Sequence, residues 1–271
     1  MFLSRPNVSS DTRKYRLSVP PVMQIDAVIP ARMESTRYPG KPLCDIHGLT
    51  MIEHVYRRTE MSDSVDNTYV ATPNEEIREE VESFGGEAIM TGPHPRATDR
   101  VAEAAEDLDS DIVIVMQGDE PLVYPEMIDD AVEPIIEEDD VRCTNLAKSI
   151  ETEDSFRDPN NVKVVVDDNW DALYFSREPI PNLHDAEFDE IDAYKQVCVI
   201  PFEREFLFEF TSMEETTLEK IESIDMLRLL ENGYDVRLAE TDRNVYAVDT
   251  PEDHEKVNEM MVEDNLFNKY V

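Results

Sequence analysis

From residue 24 onward the chain alternates between two hydrophobic rhythms. QIDAVIP (24–30) is apolar and β-branched and reads as a strand, whereas TMIEHVYRRTEMS (50–62) puts Met51, Ile52, Val55 and Tyr56 on one side of a helix. NTYVAT (67–72) is the next strand, and NEEIREEVESFG (74–85) a helix closed by Gly85-Gly86. EAIMTG (87–92) is a short strand, ATDRVAEAAEDL (97–108) a helix of good formers, and YPEMIDDAVEPIIEE (124–138) another helix. Between them DIVIVM (111–116) is almost continuously apolar, as strands covered on both faces of a parallel sheet are. This alternation predicts βαβ units: an α/β fold with a mainly parallel sheet and helices on both faces.

The rhythm changes in the C-terminal half. NVKVVVDDNWDALYFSR (161–177) predicts a hairpin turning at Asp167-Asp168-Asn169, and KQVCVIPFE (195–203) one further strand. LEKIESIDMLRLLENG (218–233) predicts a single helix ending at Gly233, and DVRLAET (235–241) a strand. The last helix opens as Thr250-Pro251-Glu252-Asp253, with a cap, then proline, then acid in the first turn. These segments are expected to insert antiparallel strands into one domain spanning 23–271. Residues 1–22 are polar, locally basic and end in Pro-Pro, without a signal-peptide core. They are expected to be a disordered leader, or to precede a true start at Met23.

Charge alters this picture. The chain carries 62 acidic and 25 basic residues, a formal charge of −37, with only 8 Lys against 17 Arg. Dispersed acid with little lysine is the surface of a protein kept soluble in high salt, a halophile's surface. A nucleic-acid-binding surface is excluded, since phosphate contacts need basic patches. No apolar run approaches the ~18 residues of a membrane span. Cys44, Cys143 and Cys198 lie too far apart for a zinc site or a disulfide framework, which fits a reduced, cytoplasmic location.

Against that acidity, IPARMESTRYPGKPL (29–43) collects Arg32, Arg37 and Lys41 directly after the first strand. QGDEP (117–121) places Asp119 and Glu120 directly after DIVIVM. Ligands of open α/β sheets bind beyond the carboxyl ends of the strands. Cations on one such loop and carboxylates on its neighbour suit a polyphosphate with Mg²⁺. Neither GxxxxGK[ST] nor GxGxxG is present, so the common phosphate-binding fingerprints do not apply.

IPARMESTRYPGKPL, YVATPNEEI, VMQGDEPLV, DPNNVKVV, ALYFSREPIP and YAVDTPED together resemble the CMP-Kdo synthetases, the 3-deoxy-manno-octulosonate cytidylyltransferases, over roughly residues 24–262. The resemblance implies a Rossmann-like nucleotidyltransferase, a homodimer, that joins CTP to a 2-keto-3-deoxy sugar acid with Mg²⁺ and releases pyrophosphate. Motif by motif it assigns Arg32, Ser35 and Lys41 to the triphosphate. Pro30 and Ala31 go near the base, and Gln117 to reading it. Asp119 and Asp249 go to the metal, and Arg32, Lys41 and Asp119 to catalysis. Arg37 and Tyr38 are either functional or structural. The sugar acid would meet Gln196, Glu222 and Asp225, with its carboxylate facing Arg177, Lys163 or Lys195.

The chain also departs from the family. RATDR (96–100) stands for SGTER, and QVCVIPF (196–202) for a His-x-Gly-x-Tyr-x-Tyr segment. With Gln196, Ile200 and Phe202 in place of His, Tyr and Tyr, the expectation is an altered acceptor side with Kdo as a secondary substrate. A nonulosonic acid is then the alternative acceptor. A sugar-1-phosphate nucleotidyltransferase and a non-catalytic CTP-binding paralogue are the readings from other classes.

Overall fold

The apolar run after Gln24 becomes β1 (Ile25–Pro30), and its neighbours in space come from far along the chain. The computed structural model describes residues 23–35 and 37–271, and the expected leader lies outside them. After β1 come a small ribbon, β2 (Asp45–Ile46) and β3 (Leu49–Thr50), then α1 (Met51–Thr59), β4 (Asn67–Thr72), α2 (Glu75–Ser83), β5 (Glu87–Met90), α3 (Ala97–Ala105), β6 (Ile112–Val115) and α4 (Pro125–Glu137). The second half supplies β7 (Thr144–Ser149), α5 (Glu153–Arg157), β8 (Lys163–Val166), β9 (Ala172–Ser176), β10 (Tyr194–Val197), β11 (Ile200–Glu203), α6 (Arg204–Ser212), α7 (Thr217–Glu222), α8 (Met226–Glu231), β12 (Arg237–Glu240), α9 (Pro251–Met261) and α10 (Phe267–Tyr270).

Among the described residues the strands form two five-stranded sheets. The first runs β11-β6-β1-β4-β5, parallel except for β11 at its edge. It is covered on both faces: Ala27 and Ile29 of β1 enter one core cluster with α1, α2 and α4, while Val28 enters the other with α3 and α6. That two-sided burial is why β1 and β6 lack polar alternation. The second sheet, β12-β7-β10-β8-β9, holds the antiparallel strands, with β12 parallel to β7. The expected hairpin is β8–β9, turning through Asp167–Trp170, where the Asp167 carboxylate accepts from the amides of Asn169 and Asp171.

Two predicted elements divide. KQVCVIPFE is not one strand: β10 belongs to the second sheet and β11 to the first, and the chain crosses between them at Cys198-Val199. The helix predicted over 218–233 breaks at Ser223, which adopts φ 56° and ψ 50°, a left-handed conformation that no helix interior tolerates. Asp225 then starts α8, which ends before Gly233 (φ 79°). No described helix is long and apolar enough to cross a membrane.

Candidate active site

Loops from the carboxyl ends of β1 and β6 and the loop after β12 converge at one edge of the first sheet. Close approach is possible because residue 118 is glycine: a Cβ there would lie 2.8 Å from the Pro30 carbonyl oxygen. Gly40, at φ 75°, lets the cationic loop turn back, and its amide donates to Met33 O at 3.0 Å. Lys41 then opens a short 3₁₀ turn, Lys41–Leu43, that aims its side chain inward.

Asp119 and Asp249 meet here although 130 positions separate them in the sequence. The Val248 amide donates to Asp119 O at 2.8 Å, stitching the two loops together. Lys41 Nζ lies between the carboxylates, 2.6 Å from Asp119 Oδ2 and 3.3 Å from Asp249 Oδ1, and also donates to Val248 O at 3.0 Å. Arg37 Nη2 reaches Asp249 Oδ1 at 2.9 Å. The helix behind Asp249 is held by a capping box: Asp253 N donates to Thr250 Oγ1, and Thr250 N to Asp253 Oδ2.

Two clefts open from this point. The first, of about 640 Å³, is lined by Pro30, Ala31, Arg32, Ser35, Lys41 and Gln117 among others. The second, of about 390 Å³, has Arg177, Lys195 and Gln196 on its wall, together with Asn160, Asn161 and Cys198. Arg37, Gln117, Asp119 and Asp249 line both, so the clefts share one wall. Tyr38 faces away from them: its hydroxyl meets His254 Nδ1 at 3.1 Å, and His254 Nε2 donates to Asp45 O at 2.7 Å.

Glu120 and Lys195 both line the second cleft and influence each other's charge. Burial, with help from Asp119, pushes the Glu120 carboxyl up to about 8, while nearby Lys195 works in the opposite direction. Burial lowers the Lys195 ammonium, and Glu120 resists that. Burial also pushes the Cys198 thiol far up, with the charges of Glu120 and Asp119 acting the same way.

Several residues expected at the sugar side are engaged elsewhere. Lys163 is fully buried, and its ammonium donates to three carbonyls, Asp158 O (2.8 Å), Asn161 O (2.6 Å) and Arg177 O (2.5 Å). It is therefore not a free cation for a substrate. Glu222 accepts from Ser176 Oγ and the Arg177 amide, and Asp225 pairs with Arg96 and accepts from Thr98. Neither lines the two clefts. Ile200 and Phe202 are core residues of β11, and Phe202 stacks on Phe210 at 5.7 Å between ring centroids. Of the three departures that suggested an altered acceptor side, only Gln196 faces the cleft.

Asn160, Asn161 and Cys198 line the second cleft but were not assigned to the site from sequence. The Asn pair had a visible signal, since Pro-Asn-Asn before a strand is turn chemistry. Cys198 had none, because its position depends on the crossing between sheets.

A family model described as cytidylyltransferase matches residues 27–241. The chain is 46% identical over 249 residues to the 3-deoxy-manno-octulosonate cytidylyltransferase of Geotalea uraniireducens (strain Rf4), covering 88% of this chain and 99% of that one. It is 44% identical to the enzyme of the same name from Geobacter metallireducens, covering 88% and 98%. A solved CMP:2-keto-3-deoxy-manno-octonic acid synthetase complexed with CTP superposes with a TM-score of 0.84 at 36% identity, over 89% of this chain and 99% of that one. A cytidylyltransferase from Leptospira borgpetersenii, at 18% identity and a TM-score of 0.61 over 89% and 88%, shares the fold.

Proposed function

The chain belongs to the cytidylyltransferase family, among its 3-deoxy-manno-octulosonate members, and from that premise we propose that it joins CTP to 3-deoxy-manno-octulosonate (Kdo), giving CMP-Kdo and pyrophosphate. One observation carries the reading: two clefts of different chemistry meet at a wall made of Arg37, Gln117, Asp119 and Asp249. A transferase that joins two substrates needs that arrangement, because their reacting atoms must come within about 3–3.5 Å of each other.

The first cleft takes CTP. The backbone at Pro30 and Ala31 and the Gln117 amide face the base, while Arg32, Ser35 and Lys41 face the phosphates. The second cleft takes the sugar acid, whose carboxylate meets Lys195; Arg177 stands on the same wall but already donates to the carbonyls of Glu222, Pro159 and Ser223, so it lends charge more than free N–H groups. The sugar's anomeric hydroxyl then lies at the shared wall. Its oxygen bonds to the α-phosphorus, and the bond from that phosphorus to the bridging oxygen breaks. Pyrophosphate leaves against Arg32 and Lys41, and the hydroxyl proton passes to solvent. Cationic groups held in place before the reaction stabilise the charge that gathers on the departing oxygens.

Asp119 and Asp249 fit a divalent cation. They are two carboxylates open to one cleft, and they already gather the Lys41 ammonium between them. Mg²⁺ is usually held by one or two carboxylates plus substrate phosphates, which matches a pair rather than a full protein cage. Among the described residues no group of three or more His, Cys, Asp or Glu gathers for a metal. Bound there, Mg²⁺ supplies Lewis-acid neutralisation of phosphate charge. A cytoplasmic homodimer completes the proposal; three free cysteines agree with a reducing compartment.

Pyrophosphate release, measured with CTP, Mg²⁺ and Kdo, tests the reading. Release that depends on both organic substrates is expected. Release with CTP alone, or none with Kdo, refutes it.

A further inference from the structure

We infer that buried Asn145 fixes which end of the Gln196 amide meets the substrate, so that the sugar cleft presents a hydrogen-bond-accepting oxygen to a hydroxyl group of the sugar acid. The inference rests on the second cleft being the sugar site.

Asn145 sits in β7 with no exposed surface. Its Nδ2 donates to two main-chain carbonyls, Leu146 O at 2.8 Å and Val197 O at 2.9 Å. Turning the amide over would set Oδ1 against those two carbonyl oxygens, so the orientation of Asn145 is determined by its surroundings. Its Oδ1 then points the other way, as an acceptor in a buried site that demands a donor. The donor is Gln196 Nε2, 2.6 Å away.

That bond removes the usual freedom of a glutamine. A free amide turns over and offers an N–H or a C=O as the ligand requires. Gln196 must keep its NH₂ toward Asn145, and its Oε1 therefore faces away from Asn145. Gln196 lines the second cleft, and among the described residues nothing donates to Oε1. Its main chain is equally fixed: Gln196 N donates to Val162 O at 2.8 Å, and β10 pairs Gln196 with Ala147 and Val197 with Leu146. The cleft thus offers a carbonyl oxygen on a rigid strand. A ligand hydroxyl satisfies it; a hydrogen, a keto oxygen or a carboxylate at that place does not. A site built to hydrogen-bond a hydroxyl discriminates strongly against the analogue lacking it.

Steady-state kinetics with CTP and Kdo on the full chain decide the matter, with Asn145→Ala, Gln196→Ala and the double variant, each checked by circular dichroism and melting. Gln196→Ala is expected to raise KM for Kdo about tenfold and leave KM for CTP unchanged. Asn145→Ala is expected to raise KM for Kdo by a similar factor, and the double variant to be no worse than Gln196→Ala, since the two act through one bond. If Asn145→Ala leaves KM for Kdo unchanged, or costs as much in the Gln196→Ala background as alone, the inference is overturned and the sugar-site reading stands. If Gln196→Ala leaves KM for Kdo unchanged, the sugar-site reading falls as well. Gln196→Glu covers the case in which Asn145→Ala does not fold. Its carboxylate has no proton for Asn145 Oδ1, so it should be at least as poor as Gln196→Ala, and near-normal KM in Gln196→Glu overturns the inference.

Discussion

Lys41 illustrates how one residue holds a site together before any ligand arrives. Its ammonium satisfies two carboxylates that would otherwise repel each other across the cleft, and it lines the first cleft, where the proposed function puts the phosphates of CTP. Lys41→Met should cost on the order of 10²–10³-fold in kcat, the usual loss when one preorganised charged donor is removed. Pyrophosphate release under saturating CTP and Kdo measures it, and a variant within a few-fold of wild type would show that Lys41 is only structural. Lys163 makes the opposite point. In sequence it is a cation near a motif, and nothing in VKVVV reveals that its amine turns inward to three carbonyls. Lys163→Met strips those carbonyls of a charged donor. It should destabilise the protein by about 3 kcal/mol or more, read from urea unfolding: the three hydrogen bonds to a charged group contribute about 1.5–3 kcal/mol each, offset in part by removal of a buried charge, and the methylene stem is retained. An unfolding midpoint like that of wild type would contradict this. Arg32 and Lys41 were legible because cations are scarce in so acidic a chain, and Asp119 because its loop directly follows an apolar strand, whereas Asp249, one carboxylate among 62 acidic residues, was legible only through the resemblance of YAVDTPED. The direction of a buried polar side chain was not, since it depends on partners such as Asn145 that belong to an element with no clear period.

At the scale of elements, the strands and helices of the first half, apart from the two-residue strands β2 and β3, were legible because each is bounded by turn residues and follows one period. What failed was any segment that serves two neighbours. KQVCVIPFE is uniformly strand-like, and only the competition of two sheets for its ends splits it at Cys198. The Ser223 break is likewise set by tertiary packing, with Arg177 Nε donating to Glu222 O at 2.7 Å just before it. Short α10 went unread as an element, yet it anchors the C-terminus on α1. Tyr270 OH meets His54 Nδ1 at 2.9 Å and accepts from Arg58 Nε at 3.0 Å, while His54 Nε2 donates to Ile46 O at 2.7 Å. Burial pulls the His54 pKa down to about 4. The unfolded chain takes up this proton near pH 6.5 and the folded chain only near 4. Between those values the unfolded state binds more protons, so stability falls as pH drops through the window, by about 3 kcal/mol at most from this group. Unfolding free energies from pH 7 to pH 5 should decline less steeply in His54→Gln than in wild type; equal slopes would remove His54 as a cause. At the start of α9, Thr250→Ala should cost about 1 kcal/mol by loss of the cap. Thermal melting that shows no decrease would argue that the cap is redundant.

For the whole molecule, the fold class followed from the βαβ alternation, while the division into two sheets did not, because strand pairing between distant segments leaves no periodic trace. Net charge is the other global property. With 62 acidic against 25 basic residues, the folded chain repels itself at low ionic strength. Raising KCl from about 0.1 to 1 M shortens the screening length from about 10 to about 3 Å, and the melting temperature should rise with it; a flat or falling curve would show that the acid is not a response to salt. The shared wall has a different kind of consequence, for anyone wishing to stop the enzyme. Two sites that abut can be bridged by one compound. A cytidine linked through a short anionic tether to an ulosonate should occupy both clefts at once. Its second half then binds at a local concentration in the millimolar range rather than from dilute solution. Such a compound should bind more tightly than either fragment by orders of magnitude, and should compete with both substrates.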